Sequence, residues 1–230
     1  MSSSNSKVIE DDSLRNKTHI FRDREHAGQL LAEKLESYIT KDKDTVLLSI
    51  PAGGVPVGYV IAKAFQIPLN LIILRKIKIP WNPEAGFGSV APDGTVFLNE
   101  PLVKRLGLTK DEIESSAAET LNEIKRRQQQ FGVEFPNVKD KVVVLVDDGL
   151  ASGFTMIAAI NFVKKHSSSV IVAVPTAPLG TIHRITPNVD KLFCLNVRES
   201  WVFAVADAYQ KWYDLSDDEV KEYLSKANKL

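Results

Sequence analysis

The sequence predicts an α/β fold, a mostly parallel sheet flanked by helices, and three observations predict it. Five short apolar runs recur at residues 46–50, 69–74, 142–146, 170–174 and 192–195, rich in Val, Ile and Leu and mostly without polar alternation. Strands of this kind are covered on both faces, as in a parallel sheet between helices. Helical segments separate several of the runs, 56–65 after the first and 154–165 after the third. Strand, helix, strand in that order implies right-handed crossovers. The chain has 230 residues and is 44% hydrophobic, enough to bury the core of one sizeable domain, or a domain with a small appendage, without a disulfide or metal staple.

Taken in order, residues 1–18 are polar, with three consecutive serines and Asn5, Asp11, Asp12 and Asn16; they read as a flexible N-terminal tail. Residues 22–38 place Ala27, Leu30, Leu31 and Leu35 three to four apart, the spacing of a helix with one buried face. The interval 78–94 carries prolines at 80, 83 and 92 and glycines at 86, 88 and 94, and reads as a long loop ending in a hairpin through Asp93-Gly94. Loops of that length are usually functional or disordered. Thr109 and Glu112 form a capping box that opens a helix with Ile113, Ala117, Leu121 and Ile124 on one face. Lys125, Arg126 and Arg127 occupy its solvated side. A second box, Ser216 with Glu219, opens a final helix.

Composition excludes several classes. Lys+Arg is 29 and Asp+Glu is 29, so the net charge is zero and no nucleic-acid partner is expected. No apolar run reaches the roughly 18–20 residues of a membrane helix, and the polar start has no secretory h-region; the expectation is a cytoplasmic protein with no membrane partner. The single cysteine, Cys194, admits no internal disulfide and reads as a small packed hydrophobe. The histidines at 19, 26, 166 and 183 show no metal-ligand spacing.

The chemistry concentrates in one segment. The run 142–146 delivers Asp147 and Asp148, followed by Gly149, Leu150, Ala151, Ser152, Gly153, Phe154 and Thr155 and then a helix. Ligands of open α/β sheets bind at this edge. The loop N–H groups and helix N-terminus make an anion site, to which Ser152 and Thr155 add hydroxyls. Two carboxylates beside a phosphate cradle must face something neutral or cationic, such as sugar hydroxyls or a metal. The reading is a phosphorylated sugar, its phosphate in the loop and its vicinal hydroxyls on Asp147 and Asp148. A nucleotide hydrolase would need Gly-x-x-x-x-Gly-Lys-Ser/Thr and a dinucleotide site Gly-x-Gly-x-x-Gly; neither is present.

Residues Asp147 to Thr155 resemble the ribose-5-phosphate loop of type I phosphoribosyltransferases: two acids, a short turn, then Thr/Ser-Gly-x-Thr. The order Phe21-Arg22-Asp23-Arg24, Ser49-Ile50-Pro51-Ala52-Gly53-Gly54-Val55-Pro56, Leu74-Arg75-Lys76 and Asn82-Pro83-Glu84 resembles a branch of phosphoribosyltransferases predicted from archaeal and bacterial sequences. The resemblance implies a core over 19–195 with a flexible loop at 78–94, and a C-terminal hood segment and helix over 196–230. It implies binding of 5-phosphoribosyl-1-pyrophosphate (PRPP), Mg²⁺ bridged by PRPP with Asp147 and Asp148 as direct or water-mediated ligands, and transfer to a base acceptor in nucleotide metabolism. Pro51, Ala52, Gly53 and Gly54 would be the pyrophosphate loop, where a non-proline cis peptide is common in the family. Ala52 stands where many relatives have a basic residue. Arg75 and Lys76 would meet the departing pyrophosphate and act with Asp147 and Asp148 in catalysis. The loop 78–94, holding Trp81 and Glu84, would be a lid. Val197, Trp201 and Phe203 would hold the base, and the family often forms homodimers. The alternative on the same fold is a regulatory sensor of PRPP or a nucleotide.

Overall fold

The computed structural model describes residues 6–39 and 44–229, with Pro83 and Glu84 described by backbone alone. In chain order the elements are β1 (Val8–Ile9), α1 (Arg24–Leu35), β2 (Thr45–Ser49), α2 (Gly54–Phe65), β3 (Leu69–Leu71), β4 (Arg75–Ile79), β5 (Asn82–Val90), β6 (Val96–Leu98), α3 (Glu100–Leu106), α4 (Lys110–Phe131), β7 (Val142–Val146), α5 (Phe154–Val163), β8 (Ser169–Pro178), α6 (Leu179–Ile185), β9 (Lys191–Arg198) and α7 (Asp217–Ala227). Six strands form one sheet in the order β1-β9-β8-β7-β2-β3, and every neighbouring pair is parallel. A mostly parallel α/β sheet flanked by helices is therefore the fold, as the apolar runs predict.

The unalternating apolar runs follow from two cores. Val143 and Leu145 of β7 join the core that contains α5 and α6 residues such as Ile160 and Ile182. Val144 and Val146 join the opposite core, built with Leu31 of α1 and Ile61 of α2. Those four β7 residues are fully buried, each side chain contributing roughly 1.5–3 kcal/mol by leaving water. A strand walled on both faces has no position left for a polar residue. It also sits at the centre of the sheet, with Ser49↔Val146 and Val146↔Ala173 in register, so its C-terminal end is held from both sides.

Both capping boxes form as read: Thr109 with Glu112 opens α4, and Ser216 with Glu219 opens α7. Two expectations are corrected. Residues 6–18 are not a tail (residues 1–5 lie outside the described residues). Val8 and Ile9 pair with Leu192 and Phe193 of β9. Beyond them the Asp11 N–H donates to the Leu195 carbonyl at 3.2 Å and the Asn16 N–H to Val197 at 3.0 Å. Arg15 pairs with both Glu10 and Glu199. The backbone of a polar segment finds partners on a sheet edge, which needs little apolar surface of its own. The segment then bonds to the C-terminal part of the chain, with His19 N–H to the Asp207 carbonyl at 2.7 Å and Phe21 N–H to Ala208 at 3.0 Å.

The second correction concerns 78–94. Most of it is strand: β4, β5 and β6 make a separate antiparallel sheet. In β4, Ile77 and Ile79 are buried against α4 residues such as Ile124 and Phe131, and Lys76 and Lys78 are exposed. The expected turn at Asp93-Gly94 is present, with the Asp93 carboxylate accepting from the Thr95 N–H at 2.7 Å. The apolar run 69–74 ends its strand at Leu71, although Ile72, Ile73 and Leu74 remain buried.

Deleting residues 1–10 removes β1 and one partner of Arg15. We expect a loss of about 1–2 kcal/mol, a fall of roughly 2–8 °C in Tm, measured by thermal unfolding; an unchanged melt would return the segment to a tail.

Candidate active site

The segment after β7 turns sharply and starts α5 at Phe154, with Gly153 as the N-cap at φ 75° and no side-chain cap on the helix. That φ is a left-handed conformation which a side chain resists. A Cβ at Gly153 would also lie 2.7 Å from the Thr181 Cγ2. An uncapped helix N-terminus presents backbone N–H groups without intrahelical partners, together with the positive end of the helix dipole. Ser152 and Thr155 are exposed beside it. Two side chains hold the loop from behind: the Thr181 hydroxyl donates to the Ala151 carbonyl at 2.6 Å and Arg184 to that of Ser152 at 2.7 Å. Leu150 is buried in the core, its N–H bonded to the Thr176 carbonyl at 2.9 Å.

The two acids at the head of this loop have different surroundings. Asp148 is buried, and its Oδ2 accepts from Arg24 Nε at 2.8 Å. Arg24 is buried too; its Nη1 donates to the Tyr213 carbonyl at 2.9 Å, and its guanidinium lies 4.0 Å from the centroid of the Trp212 ring. The Tyr209 hydroxyl donates to the Asp148 backbone carbonyl at 2.6 Å. Burial holds that phenol well above its usual range, hence protonated and a donor. Asp147 is half-buried and accepts the Asp148 N–H at 2.9 Å. Burial, and then the charge of Asp148, push the Asp147 carboxyl well above the carboxylate range. Burial also raises Asp148, and Arg24 opposes that rise.

The loop 51–54 meets the acids directly. A Cβ at Gly53 would lie 2.0 Å from Asp148 Oδ2, and one at Gly54 would lie 2.7 Å from the Val146 carbonyl oxygen and 2.9 Å from the Asp147 Cα. The two glycines are thus required by contact between the ends of β2 and β7. The Pro51–Ala52 peptide is cis, and Ala52 packs toward the core beneath the small sheet. Arg75 and Lys76 line a cavity of about 720 Å³ between the small sheet and α5, together with Ser152 and Thr155 of the helix-capping loop. Asp147, Asp148 and residues 51–54 lie outside its lining. Arg75 and Lys78 both reach Glu123 of α4 at 3.5 Å.

This arrangement, a helix-capping loop behind two acids with a Gly-Gly loop against them, falls inside residues 20–210, which match the family model described as the phosphoribosyl transferase domain. The chain belongs to the phosphoribosyl transferase family. It is 34% identical over 213 residues to a Mycobacterium tuberculosis protein named "Putative phosphoribosyl transferase", covering 91% of this chain and 47% of the relative. The chain thus spans about half the length of the curated relatives it matches. It is also similar to the crystal structure of TT1426 from Thermus thermophilus, with 31% identity and a TM-score of 0.76 over 90% of this chain and 98% of that one.

The three residues expected to hold a base differ in exposure. Val197 is 1% exposed and packs in the α5–α6 core. Trp201 is fully exposed and Phe203 half-buried. The aromatic side chains tied to the acids are instead Tyr209, bonded directly to the Asp148 carbonyl, and Trp212, by way of Arg24. Sequence reasoning does not reach Arg24 as a site residue, because its partner lies 124 positions away. A local signal exists all the same: Asp23 caps α1 by accepting the His26 N–H at 2.9 Å, which places Arg24 at the head of a helix. The side chain of Glu84 lies outside the described residues.

Two outcomes follow from this geometry. An acid whose carboxyl is raised in the folded state binds its proton where the unfolded chain has lost it. Stability is therefore greatest at acid pH and falls as pH rises through the raised value. Asp147→Asn removes that cost, so without added ligand its Tm should exceed the parent's at neutral pH, the gain vanishing toward pH 4. Gly54→Ala should cost about 1–3 kcal/mol by overpacking against backbone that cannot move aside, read by denaturant unfolding.

Proposed function

We propose that this protein transfers the 5-phosphoribosyl group of PRPP to a nitrogen acceptor, a nucleobase in class, with release of pyrophosphate. The observation that carries the reading is the uncapped α5 N-terminus at Gly153, set behind a strand that ends in two acids. The 5-phosphate takes N–H groups of 151–155 with Ser152 and Thr155, the Leu150 N–H being held by the Thr176 carbonyl, and Asp147 accepts from the ribose hydroxyls. The backbone of Pro51, Ala52, Gly53 and Gly54 faces the pyrophosphate, and Lys76 and Arg75, which line the cavity beside α5 with Ser152 and Thr155, would supply positive charge to it. Family membership supports the donor class; the acceptor and the cytoplasmic setting are part of the proposal, as is a homodimer.

Magnesium fits the residues in a limited way. Among the described residues no group of three or more His, Cys, Asp or Glu could hold a metal ion. A carboxylate plus substrate phosphates is the usual magnesium environment, and Asp147, which makes no ion pair among the described residues, is the residue that would contribute the carboxylate. Bound there, the ion would supply positive charge to the pyrophosphate oxygens. The remaining work belongs to the chain. It places the ribose between two fixed loops, which removes orientational freedom before reaction. Lys76 adds positive charge where negative charge grows on the leaving group.

A second reading is favoured by one observation: Ala52 turns its methyl group into the core beneath the small sheet instead of offering a cation to pyrophosphate. A sensor that binds PRPP or a nucleotide without turnover would have this feature. Pyrophosphate release from PRPP, Mg²⁺ and a mixture of purine and pyrimidine bases separates the two readings. Release that falls roughly 10²–10³-fold in Lys76→Ala, the loss typical of one oxyanion-stabilising donor, supports transfer. Binding of PRPP with no release from any base supports the sensor.

A further inference from the structure

A buried ion pair is weak evidence of stabilisation, because desolvating both charges offsets most of their attraction. The pair between Arg24 and Asp148 therefore calls for another reason. Asp148 lies just past the end of the central strand, in contact with Gly53 of the Gly-Gly loop. Arg24 uses its Nε on that carboxylate, Nη1 on the Tyr213 carbonyl, and its flat face on Trp212. Tyr209, a few residues earlier in the same C-terminal stretch, bonds the Asp148 main chain. Arg24 thus connects the segment 209–213 with the head of the substrate loop, and it does so through a side chain that cannot then turn toward a sugar.

We propose that Arg24 is a positioning residue: it withdraws Asp148 from the ribose, leaves Asp147 as the carboxylate that meets the sugar hydroxyls, and fixes the 209–213 segment against that site. The proposal rests on the phosphoribosyl reading above and assigns unequal roles to two acids that look alike in sequence. Asp148 acts as the anchor of the loop. Its carboxylate is engaged by Arg24 and enclosed by Gly53. Asp147 remains half-buried, accepts the next N–H in the chain, and makes no ion pair among the described residues; Arg24 acts on it only through its charge, not by contact. Trp212 and Tyr213 take their places because Arg24 is held by Asp148.

A double-mutant cycle on PRPP affinity tests this, measured by calorimetry with Mg²⁺ on full-length protein at a temperature where every variant gives a cooperative melt. Arg24→Met and Asp148→Asn should each weaken binding roughly ten- to hundredfold, the range for losing a support behind a ligand-holding group. The double variant should be no weaker than the worse single, because both remove the same link. Arg24→Lys, which restores a charge opposite Asp148 without the planar fork, should recover part of the affinity, and it replaces Arg24→Met should that variant not fold. Losses that multiply in the double variant, or an Arg24 variant that binds as the parent does, would overturn the positioning role alone. A parent protein that binds neither PRPP nor ribose 5-phosphate would overturn the phosphoribosyl reading, and the positioning role with it.

Discussion

Two carboxylates at the end of one buried strand cannot both stay charged without a counterion, and Arg24 pairs directly with only one of them. This asymmetry organises the surrounding structure. Asp148 becomes the group on which α1, the Gly-Gly loop and the C-terminal segment converge. Asp147 is left desolvated beside a charge, with its carboxyl raised. A desolvated acid held at the edge of an anion-binding helix N-terminus is a poor arrangement for stability. It is a good one for the neutral hydroxyls of a ligand whose phosphate sits elsewhere, at the helix N-terminus. Perturbed carboxyls of this kind concentrate at functional sites, and here the perturbation has a named origin in burial first and in the neighbouring charge second.

The same convergence explains why the glycines stand where they do. Strands β2 and β7 are neighbours in register, so the loops leaving their C-terminal ends start about one strand spacing, roughly 5 Å, apart. Gly53 and Gly54 admit that approach; any side chain there would collide with Asp148 or with the main chain of 146 and 147. Loop and acids are therefore one packed unit, assembled by strand pairing between sequence-distant segments. A change in either loop is felt by the other through direct contact. This is what the parallel sheet contributes, since it makes two turns remote in sequence adjacent at one sheet edge.

Much of the fold and part of the site are legible in the sequence, for identifiable reasons. Strand β7 matches its apolar run residue for residue because both faces are buried, and both capping boxes form because they depend on four consecutive residues. The helix-capping loop at 149–155 is legible for the same local reason. The small sheet is not, since three prolines and three glycines in 78–94 read as irregular chain. Yet the alternation Lys76, Ile77, Lys78, Ile79 is a period-two signal. Segment 6–18 reads as a tail because its contacts are backbone bonds to β9, which leave no mark on composition. Val197 reads as a base contact because an apolar residue at a strand end looks the same whether it lines a pocket or a core.

The pair Arg24–Asp148 belongs to a third kind of illegible feature, one in which motif reasoning gives a definite answer and geometry divides it. Adjacent acids at a sheet edge invite a common role, yet only one of the two is paired with the helix layer. On that side lies the first turn of α1, and a cation there is the natural way to keep a buried carboxylate charged. Asp148 is the acid that Arg24 meets, and its carboxylate also lies against Gly53. Asp147 accepts the Asp148 N–H and makes no ion pair among the described residues. The division between the acids is therefore set by which of them α1 and the Gly-Gly loop reach, a tertiary arrangement that two adjacent letters of a sequence do not carry.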